Sequence, residues 1–301
     1  MKRALVVLAL VALTAGGIWV NWYARHRAVT PPAPPAPPPE QLALAAPYLA
    51  AAPAKLSPDD PVWPRLQPVT VPLTFQVLMI PWGKSDKGPV EVRAFHDGRS
   101  LYLRLEWSDS TEDRGGPRVE DLADAAALMF PLQAEQTASL MMGFLGRVNI
   151  WHWKANWDED VWGKPPAYSA YSDVYPFEND PTFYPARAVG NLRGANPRHS
   201  AVEDIVSEGP GSITAKEKQV VTGRGRWQDG RWAVVVARAL TTPETIDFQF
   251  ASGQRSRMAL AVWDGARGEK GSRKSISEWV WLELSAPPTT VTASASPESA
   301  R

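Results

Sequence analysis

Hydrophobic and polar residues alternate along several short stretches of this chain. In residues 100–107 (SLYLRLEW) every second side chain is leucine or tryptophan, and tyrosine, arginine and glutamate lie between them. A period of two is typical of a strand with one buried face. Related patterns occur in residues 90–96, 231–240, 257–263 and 275–284. We therefore expect several short strands that share one core.

Turn residues separate some of these strands. Asp97-Gly98 and Asp229-Gly230 each lie between two strand patterns, and Asp-Gly is favoured in two-residue hairpin turns. Several short strands with such turns predict a mainly β fold, an antiparallel β-sandwich with long loops.

Two regions are less regular. Residues 118–130 (RVEDLADAAALMF) predict one helical turn that runs into a strand. Between Trp151 and Thr222 the periodic pattern fades into a stretch rich in proline, tyrosine and asparagine. Unpatterned loops of such length are usually functional.

The N-terminal residues differ in composition from this patterned region. Met1–Arg3 is a short positive segment, and residues 4–24 carry no charge. That is the length of a membrane-spanning helix, for which about 20 residues are needed. We expect residues 1–28 to form a hydrophobic helix that is a retained signal anchor, with a cleaved signal peptide as the alternative. Either segment directs the rest of the chain to export.

The remaining boundaries also follow from composition. Residues 29–41 are rich in proline and predict an extended, semi-rigid linker. Residues 286–301 are rich in proline, serine, threonine and alanine, which predicts a disordered tail. Residues 42–285 are left as the folded domain.

Charge and cysteine content exclude several classes of protein. The chain has 32 Lys and Arg and 32 Asp and Glu, for a formal net charge of +0, so no basic surplus indicates nucleic acid. It has no cysteine, which excludes disulfides, thiolate zinc sites, cysteine-ligated iron–sulfur clusters and covalently attached c-type haem. The hydrolase motif G-x-S-x-G and the zinc motif H-E-x-x-H are also absent from the sequence.

Residues 139–157 (SLMMGFLGRVNIWHWKANW) concentrate the chemically versatile side chains. They hold two of the six methionines, one of the four histidines and three of the 14 tryptophans. In a strand, Ile150 and His152 would share one face and Trp151 and Trp153 the other. The segment is consistent with a buried core, a carbohydrate-stacking platform or a pocket for a metal-centred cofactor.

Two rival functions have specific requirements. A carbohydrate-binding β-sandwich module without haem would need exposed, coplanar tryptophans and no methionine-lined cavity. An exported hydrolase would need two facing carboxylates in a cleft, drawn from residues 157–160 or from Glu203 and Asp204.

Three blocks resemble the haem b-binding gamma subunit of type II dimethyl sulfoxide reductase-family molybdoenzymes. They are residues 124–132 (DAAALMFPL), 140–157 (LMMGFLGRVNIWHWKANW) and 259–284 (ALAVWDGARGEKGSRKSISEWVWLEL), within a similarity that covers about residues 69–284. The group includes the gamma subunits of ethylbenzene dehydrogenase, dimethyl sulfide dehydrogenase, selenate reductase and chlorate reductase. The resemblance implies one b-type haem held in the β-sandwich.

The resemblance also implies a methionine and a lysine as axial ligands of the haem iron. The methionine falls in a Met-Met-Gly step, where we assign Met142, with Met141 as the alternative. On an extended strand these neighbours would point to opposite faces, so only one could reach the iron. The lysine falls in GSRKSIS, where we assign Lys274, with Lys270 as the alternative. The family pattern speaks against His152, which we expect to be buried with a backbone partner.

The resemblance implies a function in electron transfer without substrate turnover. Two strong axial ligands leave no open coordination position on the iron. The implied partners are an iron–sulfur subunit, a molybdopterin catalytic subunit, and a c-type cytochrome or other redox carrier. The implied location is the periplasm, with tethering to the inner membrane if the N-terminal helix is retained.

Overall fold

The computed structural model of the protein describes residues 42–51, 53, 55–76, 87–116, 118–132, 138–163 and 198–288. These residues belong to one compact unit. The predicted anchor, the linker and most of the predicted tail lie outside them. Within the described part of the chain, no helix is both long enough and apolar enough to cross a membrane.

Two β-sheets make up the described fold. Their strands are β1 Ala43–Ala46, β2 Val69–Val71, β3 Thr74–Phe75, β4 Val90–His96, β5 Ser100–Ser108, β6 Ala125–Pro131, β7 Val148–Lys154, β8 Val202–Ser207, β9 Thr214–Ala215, β10 Thr222–Gln228, β11 Arg231–Ala239, β12 Arg255–Trp263, β13 Ser275–Ile276 and β14 Val280–Leu284. The first sheet has the strand order β10-β11-β5-β4-β2, and the second has the order β1-β14-β12-β6-β7-β8-β9, with β13 paired to β12 and to β3. The pairs are antiparallel except β1 with β14. The mainly β, sandwich-like fold class is confirmed.

The core lies where the inner faces of the two sheets meet. Strand β5 alternates between buried and partly exposed residues along almost its whole length, as its sequence predicts. Its leucines join one apolar cluster with Val234 of β11 and with Leu128 and Leu260 of the second sheet. Burial of these apolar faces is the main force that holds the sheets together.

The two predicted hairpins are present. Asp97-Gly98 joins β4 to β5, and the glycine has φ 85°. Asp229 and Gly230 join β10 to β11 with φ of 51° and 73°. Positive φ at both central residues is the geometry of a type I′ turn, which suits the twist of the flanking strands.

Several local predictions were wrong. Residues 118–121 form a non-helical turn where a helical turn was predicted. The Asp121 amide closes it with a hydrogen bond to the Arg118 carbonyl. The 275–284 pattern is divided into β13 and β14, because residues 277–279 leave the ladder. The one described α-helix, α1 (Ala155–Trp162), lies where no helix was predicted. Its buried residues are Ala155, Trp157 and Asp158, and Asp158 accepts hydrogen bonds from the Trp153 indole and the Gly225 amide.

Candidate functional site

A cavity of about 310 Å³ lies against the second sheet. Its floor is made by alternate residues of neighbouring strands. Two turns and the loop between β12 and β13 surround it. The lining residues are Ala127, Met129, Leu140, Met142, Ile150, His152, Ile205, Pro210, Gly211, Ile213, Ala259, Leu260, Ala261, Trp263, Gly271, Ser272, Lys274, Ile276 and Ser277.

Strand alternation separates this cavity from the core. On β7, Ile150 and His152 line the cavity, whereas Trp151 and Trp153 belong to the core cluster between the sheets. The predicted division of these four residues between two faces is confirmed. Strand β6 is buried along both faces, which explains why its sequence does not alternate.

Part of the cavity floor is built from small apolar side chains. Ala127, Ala259 and Ala261 line it from the adjacent strands β6 and β12. Because alanine projects little beyond the backbone, this part of the sheet presents a shallow, even surface. A flat apolar ligand fits such a surface better than a polar or bulky one does.

Lys274 lines the cavity from the end of the loop that leads into β13. It is only 5% exposed. Burial lowers the pKa of its amine to about 8, because a desolvated ammonium loses the hydration that stabilises its charge. Among the described residues no ion pair forms with Lys274. A buried amine without a carboxylate partner is uncommon and marks a candidate functional group.

The backbone of Lys274 is held firmly. Its carbonyl accepts a hydrogen bond of 2.9 Å from the amide of Gln76. The next residue, Ser275, pairs with Val262 of β12 and with Phe75 of β3. The amine therefore extends from a backbone that strands fix on two sides.

Met142 lines the cavity from a compact turn between β6 and β7. Its φ is 58°, in the left-handed region that a residue with a side chain seldom adopts. Gly143 follows with φ 85°, and its amide donates to the Ser139 carbonyl at 3.0 Å. Strained backbone of this kind persists where the surrounding structure imposes it, often at a functional site.

The expectation that Met141 and Met142 lie on an extended strand was wrong. Residues 140–145 form a turn, since the Gly143 amide and the Phe144 amide both bond back to earlier carbonyls. The left-handed backbone at Met142, not strand alternation, determines which sulfur lines the cavity. Met141 is half-buried and is not among the lining residues.

The other candidate ligand residues also differ in whether they line the cavity. Lys270 is exposed and does not line the cavity. Met129 does line it, from the middle of β6, and sequence reasoning missed this second sulfur. Its only sequence signal was the block 124–132, where the even burial of β6 hid the face on which Met129 lies.

His152 is half-buried, and its ring packs on Trp263 with centroids 4.7 Å apart. It lies on the cavity face, instead of being fully buried as predicted. The other described histidines lie away from the cavity lining. His96 is buried with Nε2 2.8 Å from the Ser285 carbonyl, and His199 is exposed.

The acidic residues proposed for a hydrolase have structural partners. Asp158 accepts from the Trp153 indole at 3.1 Å and from the Gly225 amide at 2.6 Å. Glu203 pairs with Lys154, and Asp204 pairs with Lys216 at 2.5 Å. Desolvation raises the pKa of Asp158 and of Asp204. Each acid is thus committed to contacts that hold the fold.

A buried acidic cluster supports the base of the loop that carries Lys274. Lys87 Nζ lies 2.7 Å from Asp109 and 2.8 Å from Asp264. Asp124 accepts from the Gly265 amide at 2.9 Å, and its pKa is raised to about 6 by desolvation and by the nearby Asp109 charge. These residues are distant in sequence, so no local pattern predicted their association.

These features define a β-sandwich protein with an apolar pocket on one sheet, into which a thioether and a buried amine project. The model of the ethylbenzene dehydrogenase family matches residues 60–275. The chain belongs to that family, and the family predicted from the three sequence blocks is confirmed.

Individual relatives agree. A candidate respiratory nitrate reductase heme subunit from Haloferax mediterranei is 26% identical over 74% of this chain and 66% of its own length. The dimethylsulfide dehydrogenase subunit gamma of Rhodovulum sulfidophilum is 24% identical over 75% of this chain and 74% of its own length. The chlorate reductase subunit gamma of Ideonella dechloratans is 28% identical over 76% of this chain and 79% of its own length.

Among solved structures, a family 9 carbohydrate binding module from Caldicellulosiruptor kristjanssonii in complex with glucose is similar with a TM-score of 0.44. It is 8% identical, and the match covers 83% of this chain and 98% of the module.

Proposed function

We propose that this chain is the haem-carrying electron-transfer subunit of a molybdoenzyme complex. Its relatives are named as a heme subunit of a nitrate reductase and as gamma subunits of a dehydrogenase and a reductase. The cofactor would be one b-type haem, bound without a covalent link because the chain has no cysteine.

One observation carries this proposal. Met142 and Lys274 come from segments more than 100 residues apart in the chain, yet both line a single apolar cavity. The small alanines of the floor leave room for a flat macrocycle. The donor set suits iron in a haem, since thioether and neutral nitrogen ligands are used there. We propose Met142 and Lys274 as the axial ligands.

Haem with two axial protein ligands supplies reversible transfer of one electron and has no open position for a substrate. The chain itself has three tasks. Lys274 must present a neutral amine, and its burial reduces the cost of losing the proton. Met142 must present sulfur from a turn whose backbone fixes its direction. The alanine floor and the ring of Trp263 must keep water from the porphyrin.

The proposed role in a complex follows from this chemistry. The subunit would exchange electrons with an iron–sulfur subunit that is connected to a molybdopterin catalytic subunit. The external partner would be a c-type cytochrome or another redox carrier. We propose a periplasmic location, with tethering to the inner membrane if the N-terminal segment is retained. The polypeptide alone would not turn over substrate.

The carbohydrate-binding alternative lacks its required feature in the described part of the chain. Trp162 is the only described tryptophan that is exposed, at 45%, so no exposed tryptophan pair is present there to stack a sugar. The methionine-lined cavity is the feature that this alternative excluded. We therefore propose no sugar-binding function.

The absorbance spectrum of protein produced with ample haem tests the proposal. We expect a Soret band and sharp reduced α and β bands of six-coordinate low-spin haem, and complete extraction of the haem into acid acetone. Met142→Ala and Lys274→Ala should each lose the low-spin spectrum, whereas Met141→Ala and Lys270→Ala should retain it. A colourless wild-type protein, or a spectrum that depends on Met141 or Lys270, would overturn the proposal or its ligand assignment.

A further inference from the structure

Trp263 joins the two ends of the loop that carries Lys274. It is the last residue of β12, where its backbone pairs with Ala125 of β6. Its indole Nε1 donates a hydrogen bond of 3.0 Å to the carbonyl of Gly271, three residues before Lys274. The side chain thus bonds the far end of a loop that begins at its own backbone.

The ring of Trp263 also contacts the amine. Lys274 Nζ lies 4.9 Å from the ring centroid, and Trp263 is itself only 7% exposed. An aromatic face at this distance attracts an ammonium and packs against the side chain when the amine is neutral. One residue therefore restrains both the backbone that precedes Lys274 and the end of its side chain.

The loop needs such a restraint near Gly271. That glycine has φ 60°, and a Cβ built on it would meet nothing within 4 Å. In the first half of the loop, the Gly268 amide donates a hydrogen bond to the Gly265 carbonyl, and the Glu269 amide donates one to the Asp264 carbonyl. Residues 270–273 have two described hydrogen bonds. The Arg273 amide donates to the Lys270 carbonyl, and the Trp263 indole donates to the Gly271 carbonyl.

We propose that Trp263 is the positioning residue of this site, which places the Lys274 amine in the cavity before a cofactor is bound. This inference rests on the proposed function in making Lys274 a ligand, but the placement of the amine is a property of the haem-free protein. A residue that only filled space would have no need of its indole N–H.

Two variants distinguish a positioning role of Trp263 from a role in which its side chain only fills space. Trp263→Phe keeps an aromatic face and removes the N–H donor, whereas Trp263→Leu removes both. Trp281→Phe is the matched control, because Trp281 lies on β14 and does not line the cavity. Far-UV circular dichroism and thermal unfolding establish that each variant is folded.

The primary measurement uses haem-free protein and an amine-acetylating reagent, with labelling of individual lysines followed by mass spectrometry. We expect Trp263→Phe to label Lys274 about fivefold faster than wild type does, the effect of one hydrogen bond of about 1 kcal/mol. Trp263→Leu should label it faster still. Labelling of exposed Lys270 should not change, and Trp281→Phe should behave as wild type.

The haem-loaded protein gives the second measurement. Transfer of haem to excess apomyoglobin should be about fivefold faster from Trp263→Phe than from wild type, by the same hydrogen-bond estimate. The low-spin spectrum of the variant should persist, because both proposed ligands are still present.

The two proposals fail in different ways. If wild type takes up no haem, the proposed function fails, while the labelling rates still judge the role of Trp263. Equal Lys274 labelling in wild type and Trp263→Phe would overturn the positioning role even in a protein that binds haem. Should both Trp263 variants fail to fold, hydrogen exchange of the Trp263 indole N–H decides in haem-free wild type. The proton donated to the Gly271 carbonyl must exchange slowly, and rapid exchange of that proton would overturn the proposal.

Discussion

The two faces of the central strands β6, β7 and β12 are both buried, but they are built differently. Toward the other sheet they present large side chains such as Leu128, Phe130 and Trp151, which belong to the main core. Toward the cavity they present a second cluster, in which alanines such as Ala127 and Ala261 lie beside larger side chains such as Met129. The core face fills its space for stability, whereas the cavity face leaves space that a ligand can fill.

The comparison predicts unequal costs for similar substitutions on one strand. Leu128 and Met129 are neighbours on β6, 1% and 8% exposed. Leu128→Ala opens a new cavity in the core and should lower the free energy of unfolding by about 2–5 kcal/mol. Met129→Ala only enlarges an existing cavity and should cost less than half as much. Urea denaturation of haem-free protein measures both, and equal losses would contradict the proposed difference between the faces.

The next effect concerns the buried amine and depends on pH. The pKa of Lys274 is lowered from 10.5 to about 8 in the folded protein. The unfolded chain therefore binds more protons between these values, and stability rises with pH through that window. Below pH 8 the buried amine is charged in the folded protein, and the free energy of unfolding is lowered by at most about 3 kcal/mol.

Lys274→Leu should remove this penalty. Haem-free Lys274→Leu is expected to be more stable than wild type at pH 7, and the difference should shrink as pH rises toward 10.5, because only the cost of the buried charge depends on pH. Chemical denaturation at a series of pH values tests this, with Lys270→Leu as the exposed control that shows no such trend. A stability difference independent of pH would mean that Lys274 is not desolvated as described.

Two neighbouring alanines give a sharper form of the comparison. Ala126 joins the main core and Ala127 joins the cavity cluster. Ala126→Leu overpacks the core and should cost about 1–3 kcal/mol. Ala127→Leu should be nearly neutral in haem-free protein, because its side chain enters open space. Haem titration should give the opposite order for haem binding. Ala127→Leu should bind haem poorly, and any folded Ala126→Leu should bind it well.

The smallest expected effect lies in the turn that carries Met142. Glycine adopts positive φ without a steric cost, so Met142→Gly should leave haem-free protein as stable as wild type or about 1 kcal/mol more stable. Haem bound to this variant should lack the thioether ligand that we propose Met142 supplies. Met141→Gly is the control, because the φ of Met141 is not positive, and it should lower the unfolding midpoint while keeping the ligand.

Prediction from sequence succeeded where a structural signal was local and failed where it was distant. The hairpins at Asp97 and Asp229 depend on a few adjacent residues, and both are present. Helix α1 was missed because its stability comes from contacts such as the Asp158 bonds to Trp153 and Gly225. The acidic cluster beneath the Lys274 loop was missed for the same reason.

The sequence by itself determined the alternation of strands such as β5, the two Asp-Gly hairpins and the family, because each depends on residues that are close together or on recognisable blocks. Tertiary structure decided which methionine and which lysine line the cavity. Met141 and Met142 differ only in backbone conformation, and Lys270 and Lys274 only in their place on one loop. Side-chain direction depends on a left-handed turn and on strand pairing across distant segments, and neither of these is encoded at the residue itself.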